Sequence, residues 1–464
     1  MQLALTTLLS WTQGRLIQGD ADTPIQRIHT DTRSLQPGDL FLALQGDRFD
    51  GHDFIQQAID KHAAALCLSR PPSQPVPPHL PILLVNDTLK ALQSIAAHYR
   101  NSLPADVIAI VGSNGKTSTK DILAQILSRR FTITQTYANY NNHIGVPLTL
   151  LTITPAHHFA VVELGTNHPG EITTLAQIVQ PDLVLITNIG REHLEFFKNQ
   201  EAVAQEESSI LQHLSPDGQA ILNADDPWTP WIQHRYPTTP TTLVGLESTT
   251  ATWRAEIHHS SLHSIHFTLH SPHGSISATL PSPAKFLLYN VLQASAAAHW
   301  AGLSLPEIQA AIAHLRLPHL RMQIISLQNQ RTLLNDCYNA NPDSMIAALT
   351  TLIELNDIPH KAAILGSMAE LGDCAPIEHL EIGRFAGSHP LDWIIAVGPH
   401  AASIQEGALL SGFPPSRIFI YPSASEAIPR AIEKFQPHTA LLIKGSRSVA
   451  LETIAEALQQ HYQN

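Results

Sequence analysis

The sequence predicts an α/β protein of three domains, and three observations carry that expectation. Its 464 residues exceed the usual size of one folding unit and leave room for several cores. Apolar runs of strand length alternate with helix-period segments twice, from Asp106 onward and again after Leu317. Between the first such run and the first such helix stands a glycine-rich turn, Gly112-Ser-Asn-Gly-Lys-Thr-Ser118, placed as a phosphate loop is placed between strand and helix. The expected boundaries are 1–86, 87–317 and 318–464.

The first segment mixes short apolar runs with turns and ends in SRPPSQPVPPHLP (69–81), whose prolines remove backbone donors and favour a surface loop. Within it, HTDTRSLQPGDLFLALQGDRFDGHDFI (29–55) is dense in polar groups. Thr32 and Arg33 could offer a hydroxyl and a guanidinium to a phosphate or a sugar, or could simply form a solvated turn.

In the second segment, Gly112 and Gly115 allow close backbone approach to a polyphosphate. Loop amides and the start of the following helix then face the anion. Lys116 can reach terminal phosphates and the Thr117 hydroxyl can ligate Mg²⁺. Ile110 stands where the usual GxxxxGK spacing has its first glycine, so the context carries the reading: an apolar strand before the turn and an amphipathic DILAQILSRR (121–130) after it. Apolar runs at 159–164, 183–186 and 220–222 read as strands of a parallel sheet, whose ligands gather beyond the carboxyl ends. Glu163 closes one of these strands and His193 follows another, so both are candidates to face the nucleotide and its metal. Residues 241–282 switch to period two. In HSIHFTLHSPHGSISATL (263–280), Ile265, Phe267 and Leu269 share one face and His266 and His270 the other, as on a solvated strand rather than in a zinc site.

The third segment alternates strictly: TLLNDC, KAAILG, LDWIIAV, RIFIY and TALLIK as strands with helices between, a doubly wound pattern. It has no GxGxxG after its first strand, which argues against a dinucleotide. Cys67, Cys337 and Cys374 are odd in number and widely spaced, which argues against disulfides or thiolate zinc and suits a reducing compartment. A net charge of -12 opposes nonspecific binding to nucleic acid. No apolar run reaches membrane-spanning length and the N-terminus lacks a basic leader pattern, so a soluble cytoplasmic protein is expected.

GSNGKTS, YANYNNHIGVPLTLL, VVELGTNHPGEI, NIGREHLE, ILNADD, LLNDCYNANPDSM, GSMAELG and KGSRS occur in this order, and together the set resembles the Mur ligases over nearly the whole chain. The resemblance implies a uridine-binding first domain, a central phosphate-loop ATPase domain and a Rossmann-like C-terminal domain. It further implies an enzyme that uses ATP and Mg²⁺ to join D-Ala-D-Ala to UDP-N-acetylmuramoyl-tripeptide through an acyl phosphate; a monomer is expected, although the sequence itself does not give the oligomeric state. By the same resemblance Lys116, Glu163 and His193 are catalytic, and Gly112, Ser113, Asn114, Gly115, Lys116, Thr117 and Ser118 cradle the nucleotide. Asn290, Arg321 and Asp336 also reach it, Arg321 on domain closure. Thr32, Arg33 and His52 meet the uridine diphosphate, and Asn139, Asn141 and Asn142 the muramoyl peptide. Tyr338, Asn339, Asn341, Lys444, Ser446 and Arg447 meet the dipeptide. Thr117, Glu163 and His193 bind metal. The family pattern breaks in two places. Tyr289 and Gln293 replace the His and second Asn of an adenine-contacting HNxxN. The helix EAVAQEESSILQHL (201–214) lacks the lysine whose carbamate assists the second magnesium in most of the family, and Glu207 falls at that position, with Glu206 one residue away. Such a glutamate would supply the same charge directly as a metal ligand. A sister ligase, a folylpolyglutamate synthase and a nucleotide-gated switch ATPase are the alternatives.

Overall fold

The computed structural model describes residues 3–46 and 48–463. It divides into two compact units: Met1–Ala109 with Phe131–Gly165 and Glu171–Asp182, and Ile110–Arg130 with Thr166–Gly170 and Leu183–Asn464.

In the first unit a five-stranded sheet runs in the order Arg15–Gln18, Ile82–Leu84, Ala65–Leu68, Asp39–Leu42, Arg27–His29, parallel except for its first pair. Successive side chains alternate between faces, so Leu40 and Leu42 enter one core while Phe41 and Ala43 enter the other. Both faces are therefore apolar, which is why these strands read as unbroken apolar runs. Asp87 caps the helix Thr88–Asn101 by accepting from the Lys90 N–H. That helix lies beyond the expected boundary at residue 86, yet its Ala91, Leu92 and Ile95 pack into the core of this sheet. The unit also holds the parallel pair Ile133–Gln135 and Phe159–Glu163.

The second unit contains two sheets. In the first, Leu183–Ile186, Gln219–Asn223, Thr241–Gly245 and Trp253–Ser260 are parallel neighbours, and Ile265–Ser271 and Gly274–Leu280 extend them as an antiparallel meander. Ile265, Phe267 and Leu269 are buried, as their alternation predicts. The histidines of the other face make cross-strand bonds: His266 with Thr279 at 3.0 Å, His270 with Ser275 at 2.9 Å.

The second sheet runs Gln323–Leu327, Arg331–Asp336, Thr439–Lys444, His360–Gly366, Trp393–Val397, Ile418–Tyr421, with only the first pair antiparallel. The last strand in sequence is inserted between the second and third of this domain, so the loops after Asp336, Gly366 and Lys444 meet at one sheet edge. All three cysteines are free, and burial pushes the Cys67 and Cys337 thiols up to about 12, so neither is a reactive thiolate. No helix among the described residues is long and apolar enough to cross a membrane.

Candidate active site

The strand Asp106–Val111 ends in the expected loop, and the helix Lys116–Leu127 follows it. Gly112 (φ +114°) and Gly115 (φ +83°) both occupy the left-handed region. A Cβ on Gly112 would lie 2.3 Å from Thr187 Oγ1, and one on Gly115 2.7 Å from Asn290 Nδ2, so conformation and space alike demand glycine. The loop is held from behind. Asn188 accepts from the Ser113 N–H through its carbonyl (2.9 Å) and from the Asn114 N–H through its side chain (2.8 Å), while Ser113 Oγ accepts from the Gly190 N–H (2.7 Å). Ser118 is buried within the helix. Asn114 Nδ2 is a buried donor with no partner, the feature expected of a loop built to receive acceptor oxygens.

Asn290, expected at the nucleotide, donates its amide to the Gly115 carbonyl at 3.0 Å and so braces the loop. The substituted neighbours have structural partners: Tyr289 donates to Asp225 (2.9 Å) and Gln293 to the Ile186 carbonyl (2.8 Å).

Lys116 Nζ contacts the Gly112 carbonyl and lies 3.9 Å from Glu192 Oε2. His193 Nε2 is 3.7 Å from the same oxygen, and His193 Nδ1 is 2.6 Å from Glu370 Oε2. Glu192 and Glu370 were not among the sequence candidates. Glu192 stands beside His193 in the chain and could have been noticed, whereas Glu370 reaches it only through the fold.

The helix Gln200–Ser208 places two consecutive carboxylates under two loops. Glu206 accepts from the Gly170 N–H at 2.8 Å. Glu207, fully buried, accepts from the Gly112 N–H at 2.9 Å. Burial pushes the Glu207 carboxyl up to about 8, Lys116 acting in the opposite direction and Glu192 in the same. Glu207 Oε1 and Glu192 Oε1 are both buried without a hydrogen-bond donor. Among the described residues no three His, Cys, Asp or Glu side chains gather at metal-binding spacing. The donor set at the loop is thus a hydroxyl and carboxylate oxygens, hard ligands that suit Mg²⁺ when phosphate and water complete the shell.

Arg321, expected to join on closure, already donates to Thr117 Oγ1 at 3.2 Å, with its guanidinium 4.3 Å from the Tyr338 ring. Leu320 and Met322 on either side are left-handed (φ +59° and +48°), and Asp336 Oδ1 holds the Met322 N–H at 3.0 Å. Asp336 Oδ2 accepts from Lys444 Nζ at 2.7 Å, and the same ammonium donates to the Asn339 carbonyl at 3.0 Å. Asp336, expected at the nucleotide, thus spends one oxygen on the chain beside Arg321 and the other on Lys444. Asn341 caps the helix Pro342–Ile353 and donates to Asn114 at 2.9 Å. Ser446 Oγ joins the Ala369 N–H (2.9 Å) to the Ala340 carbonyl, and Arg447 pairs with Glu452 at 3.0 Å. Arg191, also not foreseen, binds Asp343 and Glu378 at 2.7 and 2.9 Å and ties the His193 segment to two helices of the C-terminal sheet.

In the first unit, Glu163 is buried and accepts from Asn141 Nδ2 at 2.9 Å. Asn142 closes a turn by accepting from the Ile144 and Gly145 N–H groups, and Asn139 is exposed. The ring nitrogens of His52 are both engaged, Nδ1 with Asp50 at 2.6 Å and Nε2 accepting from the Ser69 N–H at 3.1 Å. Thr32 donates to Gln57 at 3.0 Å, while Arg33 pairs with Asp31 and keeps 88 % of its side chain exposed.

His379 is buried behind the turn after Gly366. Its Nε2 accepts from the Met368 N–H (2.7 Å) and its Nδ1 donates to the Ala375 carbonyl (2.6 Å), which requires a neutral ring. Burial pushes its pKa down to about 4. An unfolded imidazole protonates near 6.5, so between these values the unfolded chain holds the extra proton and stability falls as pH falls, by about 3 kcal/mol in all. His379→Gln, whose amide oxygen can take the same N–H, is expected to flatten melting temperature between pH 7 and 4.5. An unchanged slope would assign the acid sensitivity elsewhere.

Fold and loop together define a nucleotide-binding α/β protein of the phosphate-loop class. Family models match the chain over most of its length: Mur ligase family, catalytic domain (24–100), Mur ligase middle domain (110–298) and Mur ligase, glutamate ligase domain (320–447). The UDP-N-acetylmuramoyl-tripeptide--D-alanyl-D-alanine ligase of Escherichia coli (strain K12) is 37 % identical over 99 % of both chains, and that of Bacillus subtilis (strain 168) 33 % identical over 94 % of this chain and 93 % of its own. The crystal structure of MurF from Acinetobacter baumannii matches with a TM-score of 0.90 at 34 % identity, covering 99 % of each chain. The chain belongs to the Mur ligase family.

Proposed function

We propose that this chain is an ATP-dependent, ADP-forming ligase that joins D-Ala-D-Ala to UDP-N-acetylmuramoyl-tripeptide in peptidoglycan precursor synthesis. The observation that carries the reading is full-length similarity to relatives that bear that name, on a chain whose phosphate loop keeps its backbone donors, Lys116 and Thr117. A carboxylate is a poor electrophile because its leaving group is oxide. Transfer of a phosphoryl group to it, followed by attack of an amine, makes the amide feasible, and catalysis then consists of charge neutralisation and alignment.

In this reading the loop amides, Asn114 and Lys116 hold the phosphates, and Arg321 swings from Thr117 to the nucleotide. In the second unit Thr117, His193 and Glu207 are the side chains proposed to hold Mg²⁺, which when bound would neutralise phosphate oxygens. The three expected domains, 1–86, 87–317 and 318–464, supply sugar, nucleotide and amine sites. In the first, Arg33 is the exposed cation for a diphosphate. The Asn139 loop receives the muramoyl peptide, and Tyr338 and Asn339 stand nearest the dipeptide.

The test is ADP release with UDP-N-acetylmuramoyl-tripeptide and a panel of amines. Turnover is expected with D-Ala-D-Ala and not with single amino acids or glutamate. Release independent of any amine would instead mark a switch ATPase, and preference for a single amino acid a sister ligase.

A further inference from the structure

In the first unit the parallel neighbours Ile133–Gln135 and Phe159–Glu163 lead into loops at their carboxyl ends, and the first of these opens with an exposed turn, Tyr137-Ala-Asn-Tyr140. The Tyr140 N–H donates to the Tyr137 carbonyl at 3.0 Å and closes it. Two large rings stand on this turn: Tyr137 is 76 % and Tyr140 48 % exposed, and they meet edge to face with centroids 5.9 Å apart and planes at 85°. A lone apolar side chain on a surface is ordinary. A pair of rings beyond the carboxyl ends of parallel strands stands where the ligands of α/β sheets bind.

The backbone beneath the rings is fixed. Glu163 ties both ends of the turn: its N–H donates to Thr136 Oγ1 and its carboxylate accepts from Asn141 Nδ2, each at 2.9 Å. The Asn141 carbonyl accepts from the Gly165 N–H at 2.8 Å, and a Cβ on Gly145 would lie 2.5 Å from the Tyr140 backbone, so the turn rests directly on its support. Ala138, between the tyrosines, has φ +47°. A residue with a Cβ keeps that left-handed conformation only where its surroundings impose it, and such strain gathers at ligand clamps. Tyrosine offers a broad apolar face on only two side-chain torsions, so a rigid turn that carries two of them binds at small entropic cost.

Arg33 lies within reach of this turn. Its pKa is raised first by the hydrogen-bonded Asp31 and further by the Tyr140 phenol, which puts that ring inside the field of the cation proposed for the diphosphate. Asn139, proposed for the muramoyl peptide, stands between the two tyrosines in the chain. In a UDP-linked muramoyl peptide, the group joined to the diphosphate on one side and to the peptide on the other is the pyranose. Its C–H faces are apolar and its chair is puckered, so it suits two rings set at a right angle, whereas a flat base stacks on a single face. We propose that Tyr137 and Tyr140 form the platform for the sugar ring of the UDP-linked substrate and so select a sugar nucleotide over the bare nucleotide. This rests on the ligase reading above.

Calorimetry on the full chain with UDP, UDP-N-acetylmuramate and UDP-N-acetylmuramoyl-tripeptide tests it. Both side chains are exposed, so Tyr137→Ala and Tyr140→Ala are expected to keep the wild-type melting temperature. In each, affinity for the two sugar nucleotides is expected to fall about tenfold and affinity for UDP by less than about twofold. Tyr137→Phe and Tyr140→Phe keep the rings and are expected to bind all three as wild type does. An equal loss for UDP would put the uracil or the diphosphate on the rings, and a loss confined to the tripeptide ligand would put the peptide there. Either result overturns the platform, as does unchanged affinity for all three, or a wild type that binds UDP as tightly as the sugar nucleotides. If the ring-dependent gain is found yet ADP release ignores D-Ala-D-Ala, the ligase reading falls and the sugar platform stands.

Discussion

Lys116→Ala is expected to reduce turnover by about 10³-fold or more, the scale at which a preorganised charge on a reacting phosphate acts. Its Nζ sits over the loop, in contact with the Gly112 carbonyl and 3.9 Å from Glu192, so the one ammonium faces the phosphate cradle and the acidic group behind it. Removing it leaves Glu192 and Glu207 without their nearest cation and the incoming polyphosphate without its strongest partner. Calorimetry should show ATP affinity weakened by about tenfold or more, while UDP-sugar affinity stays near that of wild type because the expected sugar residues belong to the first segment. Normal ATP affinity with a normal rate would make the loop a structural turn.

Glu207 carries the second large effect. Two roles meet in one buried side chain: Oε2 braces the Gly112 N–H, and Oε1 has no donor and is the oxygen proposed for the metal. Glu207→Ala removes both and leaves a buried N–H unpaired, so a stability loss of about 2 kcal/mol is expected together with a fall in kcat of about 100-fold. Glu207→Gln separates the roles. Its amide oxygen can still accept from Gly112, so melting temperature should remain near wild type while the magnesium requirement rises. By the sequence resemblance Glu207 stands where most of the family uses a lysine carbamate, and on that reading activity is expected to survive carbon-dioxide depletion. Loss on depletion with recovery by bicarbonate would remove the proposed substitution. A Glu207→Gln enzyme with wild-type magnesium dependence would leave Glu207 as a brace alone.

Much was legible in the sequence because it is written locally. An apolar run, two glycines and a helix-period segment specify strand, turn and helix whatever surrounds them, since the left-handed backbone at Gly112 and Gly115 is a property of those residues. Period two in 263–280 assigned Ile265, Phe267 and Leu269 to the core and His266 and His270 to the other face for the same reason. The domain edge at 86 was harder to place. The prolines of 69–81 look like a linker, but which core the helix Thr88–Asn101 joins depends on where its apolar stripe finds a partner, and that lies outside its own sequence.

The partners of the polar side chains were decided by tertiary structure alone. His52, Asp336, Asn290 and Lys444 have the chemistry of ligand-binding groups, yet their hydrogen bonds go to Asp50 and Ser69, to Met322 and Lys444, to Gly115, and to Asp336 and Asn339. A residue type states what a side chain can bond. It does not state what burial brings within 3 Å, and an unpaired polar group away from water is costly enough that the fold spends such groups on itself. Sheet order has the same origin. Insertion of Thr439–Lys444 between Arg331–Asp336 and His360–Gly366 brings Ser446 to Ala369 and Ala340, a meeting of segments about 80 and 100 residues apart that no local periodicity encodes. Glu370 likewise comes within 2.6 Å of His193 only through the fold, so the sequence by itself determined the cradle for the nucleotide and the tertiary structure determined which residues stand beside it.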